Sequence, residues 1–351
     1  MALRHVKIVG SGLIGSSIGL ALRTADIEVT MVDIDPASEA LAVDLMGGRA
    51  AEVPVDLIVV ASPLSTISKV IEDEYQLNPK ARFMDISSVK SKPIAEIKSL
   101  GIDLAHFLPS HPMAGREVGG AESARGDLFL ERAWIVDPMG VDSHLLSLGS
   151  ELITLCGAHR VDISAELHDQ AVALISHLPQ IFSSLLASHL NGAPAQWLDL
   201  AGSGLRDTTR IAGSNPALWR EILSANSAAL KPLLNRAISD LTLLVDNIED
   251  SAYVESFIEA GRRGRASIPG KHGGQPRNYT YLPVVIEDKP GQLAALFDEC
   301  AAANVNVEDL SIEHSPEQFT GLITLALSLS DAEKLYQHLK KSGWNAHSPR
   351  Y

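Results

Sequence analysis

Short apolar runs punctuate the first 160 residues: "HVKIVG", "VTMVD", "DLIVVAS", "ARFMDIS", "LAHFLPS" and "AWIVDP", separated by stretches with the spacing of amphipathic helices. These runs lack polar alternation, so the strands they predict must be covered on both faces. A parallel sheet flanked by helices meets that demand, and residues 1–160 are expected to form a doubly wound α/β domain. From Asp162 to about residue 260 the strand signal stops, and helical periodicity takes over in "DISAELHDQAVALISHLPQIFSSLLASHLNG", "NPALWREILSANSAALKPLLNRAISDLTLLVDNIED" and "SAYVESFIEAG". Several of these stretches are apolar on more than one face. That predicts burial against a second subunit, hence an all-helical dimerisation domain at residues 161–260 and a homodimer.

Residues 261–280, "GRRGRASIPGKHGGQPRNYT", carry Gly, Pro and five basic residues without periodicity and are expected to be a flexible linker. Beyond them "YLPVVIED", "GQLAALFDECAAAN", "VNVEDLSIEHS", "TGLITLALSLS", "DAEKLYQHLKKSG" and "WNAHS" predict a small α+β module of order βαββαβ at residues 281–351.

Composition narrows the function classes. With 46% hydrophobic and 21% charged residues the chain reads as globular protein, and no uninterrupted apolar run reaches the roughly 18 residues that suggest a membrane span. A formal charge of −14 disfavours nucleic acid and anionic membranes as partners. The basic residues of the linker are therefore read as part of a tether. Cys156 and Cys300 are the only cysteines, too few for a disulfide framework or a cysteine metal site, so both are expected to be buried thiols and no metal is expected. The N-terminus enters a strand directly, without a signal-peptide pattern, and a cytoplasmic location is expected.

The opening "VKIVGSGLIGSSIGLAL" places Gly10, Gly12 and Gly15 between a strand and an apolar helix. In that setting the first glycine makes a tight turn, the second lets backbone approach a pyrophosphate, and the third permits close helix packing. The helix start, with Leu13 and Ile14, faces the anion. A second strand ends at Asp33, where a carboxylate accepts hydrogen bonds from adenine-ribose hydroxyls and repels a 2′-phosphate. These features predict a Rossmann-type domain that prefers NAD. Ser62 and Pro63, at the end of "DLIVVAS", are expected to line the dinucleotide crevice.

A bound nicotinamide calls for a hydride donor and usually a proton acceptor. The chain has 12 histidines, and His111 stands out among them. It follows a strand, "LAHFLPS", at the carboxyl edge of the sheet, Pro112 fixes the turn, Gly115 permits close approach, and Ser88 in "DISSVK" ends the preceding strand at a comparable height.

The motifs "DISSVK", "SHPMAGRE", "SHLPQ" and "GSGLRDTTRIAGSNPALW" occur in an order and spacing that resembles the prephenate and arogenate dehydrogenases of tyrosine biosynthesis. The likeness spans nearly the whole chain. It implies oxidative decarboxylation: the ring C4 delivers hydride to NAD, the 4-hydroxyl loses a proton, and CO2 leaves as the ring aromatises. His111 would then act as general base or hydrogen-bond acceptor for the 4-hydroxyl, oriented by Ser88. Arg210 would grip a substrate carboxylate, a task suited to a planar guanidinium. A surface salt bridge from Arg206 or Arg210 to Asp207 or Glu221 is the competing reading. The resemblance also places Gly204, Asp207, Glu117 and Trp219 around the substrate. In "SHLPQ", Pro179 lies inside a helical pattern and its missing N–H leaves the Ile175 carbonyl without its helical partner, which predicts a kink suited to a pocket wall, with Ser176 and His177 beside it. Many prephenate-using relatives read S-H-L-P-H, whereas here the last residue is Gln180, whose amide suits either prephenate or arogenate.

"EDKPGQL" resembles the ACT regulatory domain. The resemblance implies L-tyrosine feedback, with Asp288, Gly291 and Asn304 as site candidates. Two other readings stay open: a hydroxy-acid or imine reductase, disfavoured because Lys231 lacks a convincing catalytic setting, and a non-catalytic NAD-binding amino-acid sensor, disfavoured by the joint presence of His111, Ser88 and Arg210.

Overall fold

The computed structural model describes residues 3–47, 53–116, 118–268, 279–313 and 320–350. The chain divides into two compact units, Met1–Asp240 and Leu241–Tyr351.

The first unit holds a seven-stranded sheet: β1 (His5–Val9), β2 (Glu28–Val32), β3 (Leu57–Val60), β4 (Phe83–Asp85), β5 (Phe107–Pro112), β6 (Ala133–Val136) and β7 (His159–Asp162), in the order β2-β1-β3-β4-β5-β6-β7. The first five are parallel, as their apolar runs require. Along β3, Leu57 and Val59 face one core with Ile18, Leu22 and Leu152, while Ile58 and Val60 face another with Ile67, Ile71 and Ile97. This strand is therefore covered on both sides by helices.

Two features depart from the expected all-parallel sheet. β6 runs antiparallel to β5, and a seventh strand, β7, pairs parallel to β6 at the edge. Among the described residues, the β5–β6 connection contains only a short 3₁₀ turn, Ala121–Ser123, and no crossover helix that would carry the chain back to start another parallel strand. β7, "HRVD", is largely exposed and has no apolar run to betray it. Pairing with β6 also extends β5 through His111 to Pro112, so His111 lies within the strand rather than after it.

After β7 come helix Ala165–Val172, one π-helical turn Ala173–His177 and helix Leu178–Ser188. The π turn ends two residues before Pro179, and its last bond runs from Leu178 N–H to the Ala173 carbonyl. The kink expected from Pro179 thus takes the form of a wide turn. The whole stretch Ala165–Ser188 is long and apolar enough, by length and composition, to cross a membrane. It also carries the buried polar residues His168, Asp169, His177 and Gln180, as a core helix of a polar site would. Helices Ser203–Thr209, Pro216–Ala225 and Ser227–Asp246 follow, the last containing the unit boundary.

In the second unit, helix Ser251–Ala266 takes in the first six residues of the expected linker, 261–266. Glu259 pairs with Arg262 and Arg263 one turn on, which supports the helix through "GRRGRA" despite its glycines. Of the expected linker, residues 269–278 lie outside the described residues. The C-terminal elements are β8 (Thr280–Glu287), helix Gln292–Ala302, β9 (Asp309–Glu313), β10 (Thr320–Leu327), helix Leu329–Lys341 and β11 (Asn345–Ala346). They form an antiparallel sheet of order β11-β8-β10-β9. Leu282, Val284, Ile323 and Leu325 pack on Leu296, Cys300, Leu335 and Leu339, so both helices cover one face. Both cysteines are free and buried, and burial pushes the Cys156 thiol up to about 12.

Gly15 shows how tightly the first helix is set on the sheet. A Cβ there would lie 2.1 Å from the Gly10 carbonyl oxygen, 3.0 Å from Ala61 Cβ and 3.2 Å from Ile8 Cγ2. The closest atom is backbone and cannot swing away, so overpacking outweighs alanine's better helix propensity of about 1 kcal/mol. Gly15→Ala is expected to lower stability by about 2 kcal/mol or more. Gly12→Ala, with open space around its Cβ, should leave the denaturation midpoint nearly unchanged.

Candidate active site

The carboxyl ends of the parallel strands lie on one edge of the sheet and carry the expected catalytic and cofactor residues. Gly10, just after β1, holds φ +111° and donates its N–H to the Val32 carbonyl at 2.8 Å. A side chain on it would meet the Ala61 carbonyl at 2.5 Å, so only glycine fits the turn. Beside Gly12 nothing stands within 4 Å of a Cβ, and helix Leu13–Thr24 begins there without a side-chain cap. The first-turn N–H groups of Leu13 and Ile14 have no intrahelical acceptor and face an anion's place.

Asp33, one residue past β2, accepts from Ser11 N–H at 2.6 Å, from Ser11 Oγ at 2.9 Å and from Asp35 N–H at 2.9 Å. Burial acts to raise its pKa, but these hydrogen bonds prevail and hold the carboxyl below its ordinary value. Asp33 therefore braces the glycine loop as well as offering a carboxylate. The Ser62 hydroxyl, beyond β3 and beside the Gly10 turn, is buried without a hydrogen-bond partner. An orphan polar group there is what a crevice awaiting a polar ligand would hold. Pro63, exposed, opens the 3₁₀ turn Leu64–Thr66. Turn, open helix terminus, carboxylate and orphan hydroxyl together fit a dinucleotide.

His111 is half-buried. Its Nδ1 lies 2.9 Å from His168 Nε2, with the rings edge-on at 5.1 Å between centroids. His168 is fully buried, and its Nδ1 lies 2.8 Å from Asp169 Oδ1. Asp169 also accepts from the backbone N–H groups of Lys90 and Ser91, both at 2.8 Å. Below the strand ends the Lys90 ammonium, 1% exposed, binds the Asp85 carboxylate, the Ser110 carbonyl at 2.5 Å and Ser87 Oγ at 3.1 Å. Asp85 in turn accepts from Ser110 N–H at 3.1 Å. Burial, then the neighbouring His168, Lys90 and His177, push the His111 pKa well below the ordinary histidine value, with Asp169 opposing. His111 is thus a neutral imidazole at neutral pH.

Ser88 is half-buried in the loop after β4, and the ring partner of His111 is His168 rather than this serine. His177 is buried against Trp219, edge-on at 5.9 Å, with its Nδ1 3.1 Å from Asn226 Nδ2. The same Asn226 amide donates to the Asp169 carbonyl at 2.8 Å. Ser176, half-buried, precedes it in the π turn. Gln180 is buried, and its amide N–H groups donate to the Ile211 carbonyl at 3.0 Å and Ser184 Oγ at 3.2 Å. That bond ties the Pro179 helix to the segment bearing Arg210, which opens the 3₁₀ turn Arg210–Gly213 and is exposed, as are Gly204 and Asp207. Of the competing salt bridges, Glu221 is engaged by Ser65 N–H and Oγ, at 3.2 and 2.9 Å, while Arg206 donates to the Ala201 carbonyl at 3.5 Å. Glu117 lies outside the described residues. In the C-terminal module Gly291, at φ +88°, caps helix Gln292–Ala302, and Asp288 is exposed nearby. Asn304, at φ +49°, closes the other end of that helix, roughly 20 Å from Gly291 at about 1.5 Å per residue, so it does not join them within one module.

Four important residues were not singled out by sequence reasoning: Asp85, Lys90, His168 and Asp169. A signal existed for the last two, because His168 and Asp169 share a helix face with the buried Ala165 and Val172. Charged or polar residues on an apolar face ask for partners.

Residues 18–162 match the family model described as the nucleotide-binding domain of prephenate dehydrogenase, and residues 164–260 match that of its dimerization domain. Across 99% of this chain and 100% of the relative, 33% of residues are identical to the "Probable prephenate dehydrogenase NovF" of Streptomyces niveus. Among solved structures, the prephenate dehydrogenase from A. aeolicus, in complex with hydroxyphenyl propionate and NAD+, superposes with a TM-score of 0.67 at 25% identity over 76% of this chain and 97% of that one. The Synechocystis arogenate dehydrogenase gives 0.63 at 26% identity over 74% and 98%.

The histidine cluster makes the first unit sensitive to acid. Burial, aided by His168, pushes the His177 pKa down to about 4. Because the unfolded chain binds that proton more readily, the stability this group contributes is complete above the unfolded value of about 6.5 and is lost as pH falls toward 4. His177→Asn is expected to flatten the dependence of unfolding free energy on pH in that window, by no more than about 1.4 kcal/mol per pH unit, read from denaturant titrations at stepped pH.

Proposed function

This chain belongs to the prephenate dehydrogenase family, and on that footing we propose that it catalyses the NAD-dependent oxidative decarboxylation of prephenate to 4-hydroxyphenylpyruvate, in tyrosine biosynthesis. The observation that carries the reading is a neutral, half-buried His111 at the same sheet edge as the glycine loop. NAD, held by the Gly10–Gly15 loop, Asp33 and the crevice at Ser62 and Pro63, supplies the acceptor for the C4 hydride. His111 takes the proton of the 4-hydroxyl, which directs electrons toward the ring as C4 is oxidised. Loss of CO2 then aromatises the ring and makes the step strongly downhill. The protein's remaining task is alignment, with Arg210 gripping a carboxylate and Gln180, His177 and Trp219 walling the substrate.

A second substrate reading rests on Gln180. Both of its bonds are donated by the amide nitrogen, leaving the carbonyl oxygen as the group to meet a substrate. An acceptor favours an ammonium over a ketone, and hence arogenate over prephenate. The C-terminal module we read as ACT-like, with L-tyrosine as feedback inhibitor, and the helical domain as the seat of a homodimer.

Incubating the purified protein with NAD and either prephenate or arogenate, while following NADH and CO2, tests the reading. Stoichiometric NADH and CO2 are expected, and their absence with both substrates would falsify it. His111→Asn should keep NAD affinity while lowering kcat by about 100-fold or more. The acidic limb of the kcat/KM profile should lie below the ordinary histidine range of about 6.5, since only the neutral ring accepts a proton. Arg210→Ala should raise KM for the substrate by about 10- to 100-fold, the loss of one charge-assisted contact, with a smaller effect on kcat.

A further inference from the structure

The chain His111–His168–Asp169 lies beyond the reading above, which uses only its first member. We propose that His168 and Asp169 are positioning residues for the reaction just described: they hold the proton of His111 on Nδ1, keep Nε2 bare toward the substrate, and accept that Nδ1 proton once the substrate has charged the ring.

The direction of each hydrogen bond follows from the far end. Asp169 receives two backbone N–H groups, Lys90 and Ser91, which can only donate. Its carboxylate is therefore an acceptor throughout, and His168 Nδ1, at 2.8 Å, must carry the hydrogen between them. A neutral His168 then has a bare Nε2, which at 2.9 Å can only accept from His111 Nδ1–H. The neutral His111 is left with a lone pair on Nε2. The competing arrangement makes His168 an imidazolium, turning His111 into the Nε2–H form, which is a donor and useless as a base. It would place a second cation in the interior alongside Lys90, whose ammonium is already matched by Asp85. The charged and titratable groups around His111 are Lys90 and Asp85 from the β4 region, and His168, Asp169 and His177 from the Ala165–Ser188 stretch.

The proton count closes. The 4-hydroxyl proton moves to His111 Nε2, the Nδ1 proton moves to His168 Nε2, and the resulting imidazolium lies against the Asp169 carboxylate. No oxidant beyond NAD enters, and the surplus proton leaves to solvent after product release.

Two measurements test this. Nitrogen-15 NMR of the histidine rings in the wild-type protein, without NAD or substrate, should show His111 and His168 both as neutral Nδ1–H tautomers. A charged His168 or an Nε2–H His111 overturns the proposal. In kinetics, His168→Phe removes the acceptor and should lower kcat by about 100-fold with KM for NAD within about twofold, while His168→Gln, which restores a carbonyl acceptor, should recover about tenfold over Phe. A folded Phe variant with kcat within about threefold of wild type overturns it. Wild-type protein inactive on both substrates would instead defeat the functional reading, and the NMR result would still decide the tautomers.

Discussion

The site is organised by one buried charge. Lys90 has essentially no exposed surface, and its ammonium must be satisfied where it lies, by the Asp85 carboxylate, the Ser87 hydroxyl and the Ser110 carbonyl. Asp85 answers by taking the Ser110 N–H, so the ion pair locks the end of β4 to the residue preceding His111. Removing one partner would leave the other charged and unmatched in the interior, a penalty of about 3–5 kcal/mol. The pair also acts at a distance: the positive charge of Lys90 disfavours a protonated His111, reinforcing the larger effect of burial. Position and protonation state of the central imidazole thus have a common source.

A second constraint joins the sheet to the helices. Asp169 receives the N–H groups of Lys90 and Ser91, and Asn226 reaches the Asp169 carbonyl and His177. The loop after β4, the Ala165–Ser188 stretch and the start of the final long helices are therefore held by one polar network. Few apolar contacts could specify mutual placement as closely, because each hydrogen bond tolerates only a few tenths of an ångström.

The parts legible in the sequence were those governed by local chemistry. The glycine loop declares itself because Gly10 needs a left-handed φ and Gly15 needs the absence of a Cβ, requirements that no other residue meets. His111 was legible because it lies at the carboxyl end of an apolar strand, beside Pro112. What escaped were the partnerships that span the chain: His111 and His168 are 57 positions apart, Lys90 and Asp169 79. Spacing along the chain carries no trace of them. The reversal of β6 escaped for a similar reason, since strand direction depends on the route of the connecting segment and the apolar pattern reads the same in either sense. The resemblance implies that Ser88 orients His111, whereas the ring's hydrogen-bond partner is His168.

The π turn before Pro179 alters the angular arithmetic of the helix around it. At about 100° per residue, a regular helix would set His168 and His177, nine positions apart, on roughly opposite sides. The one surplus residue of a wide turn subtracts about 100°, which swings His177 to roughly 80° from His168. One continuous rod can then point both imidazoles into the same quadrant, and Asn226 can grasp the backbone near one and the ring of the other. Only a turn rewound to regular α-helix with all nine positions kept would undo this phase shift, leaving the rod intact but its two halves aimed apart.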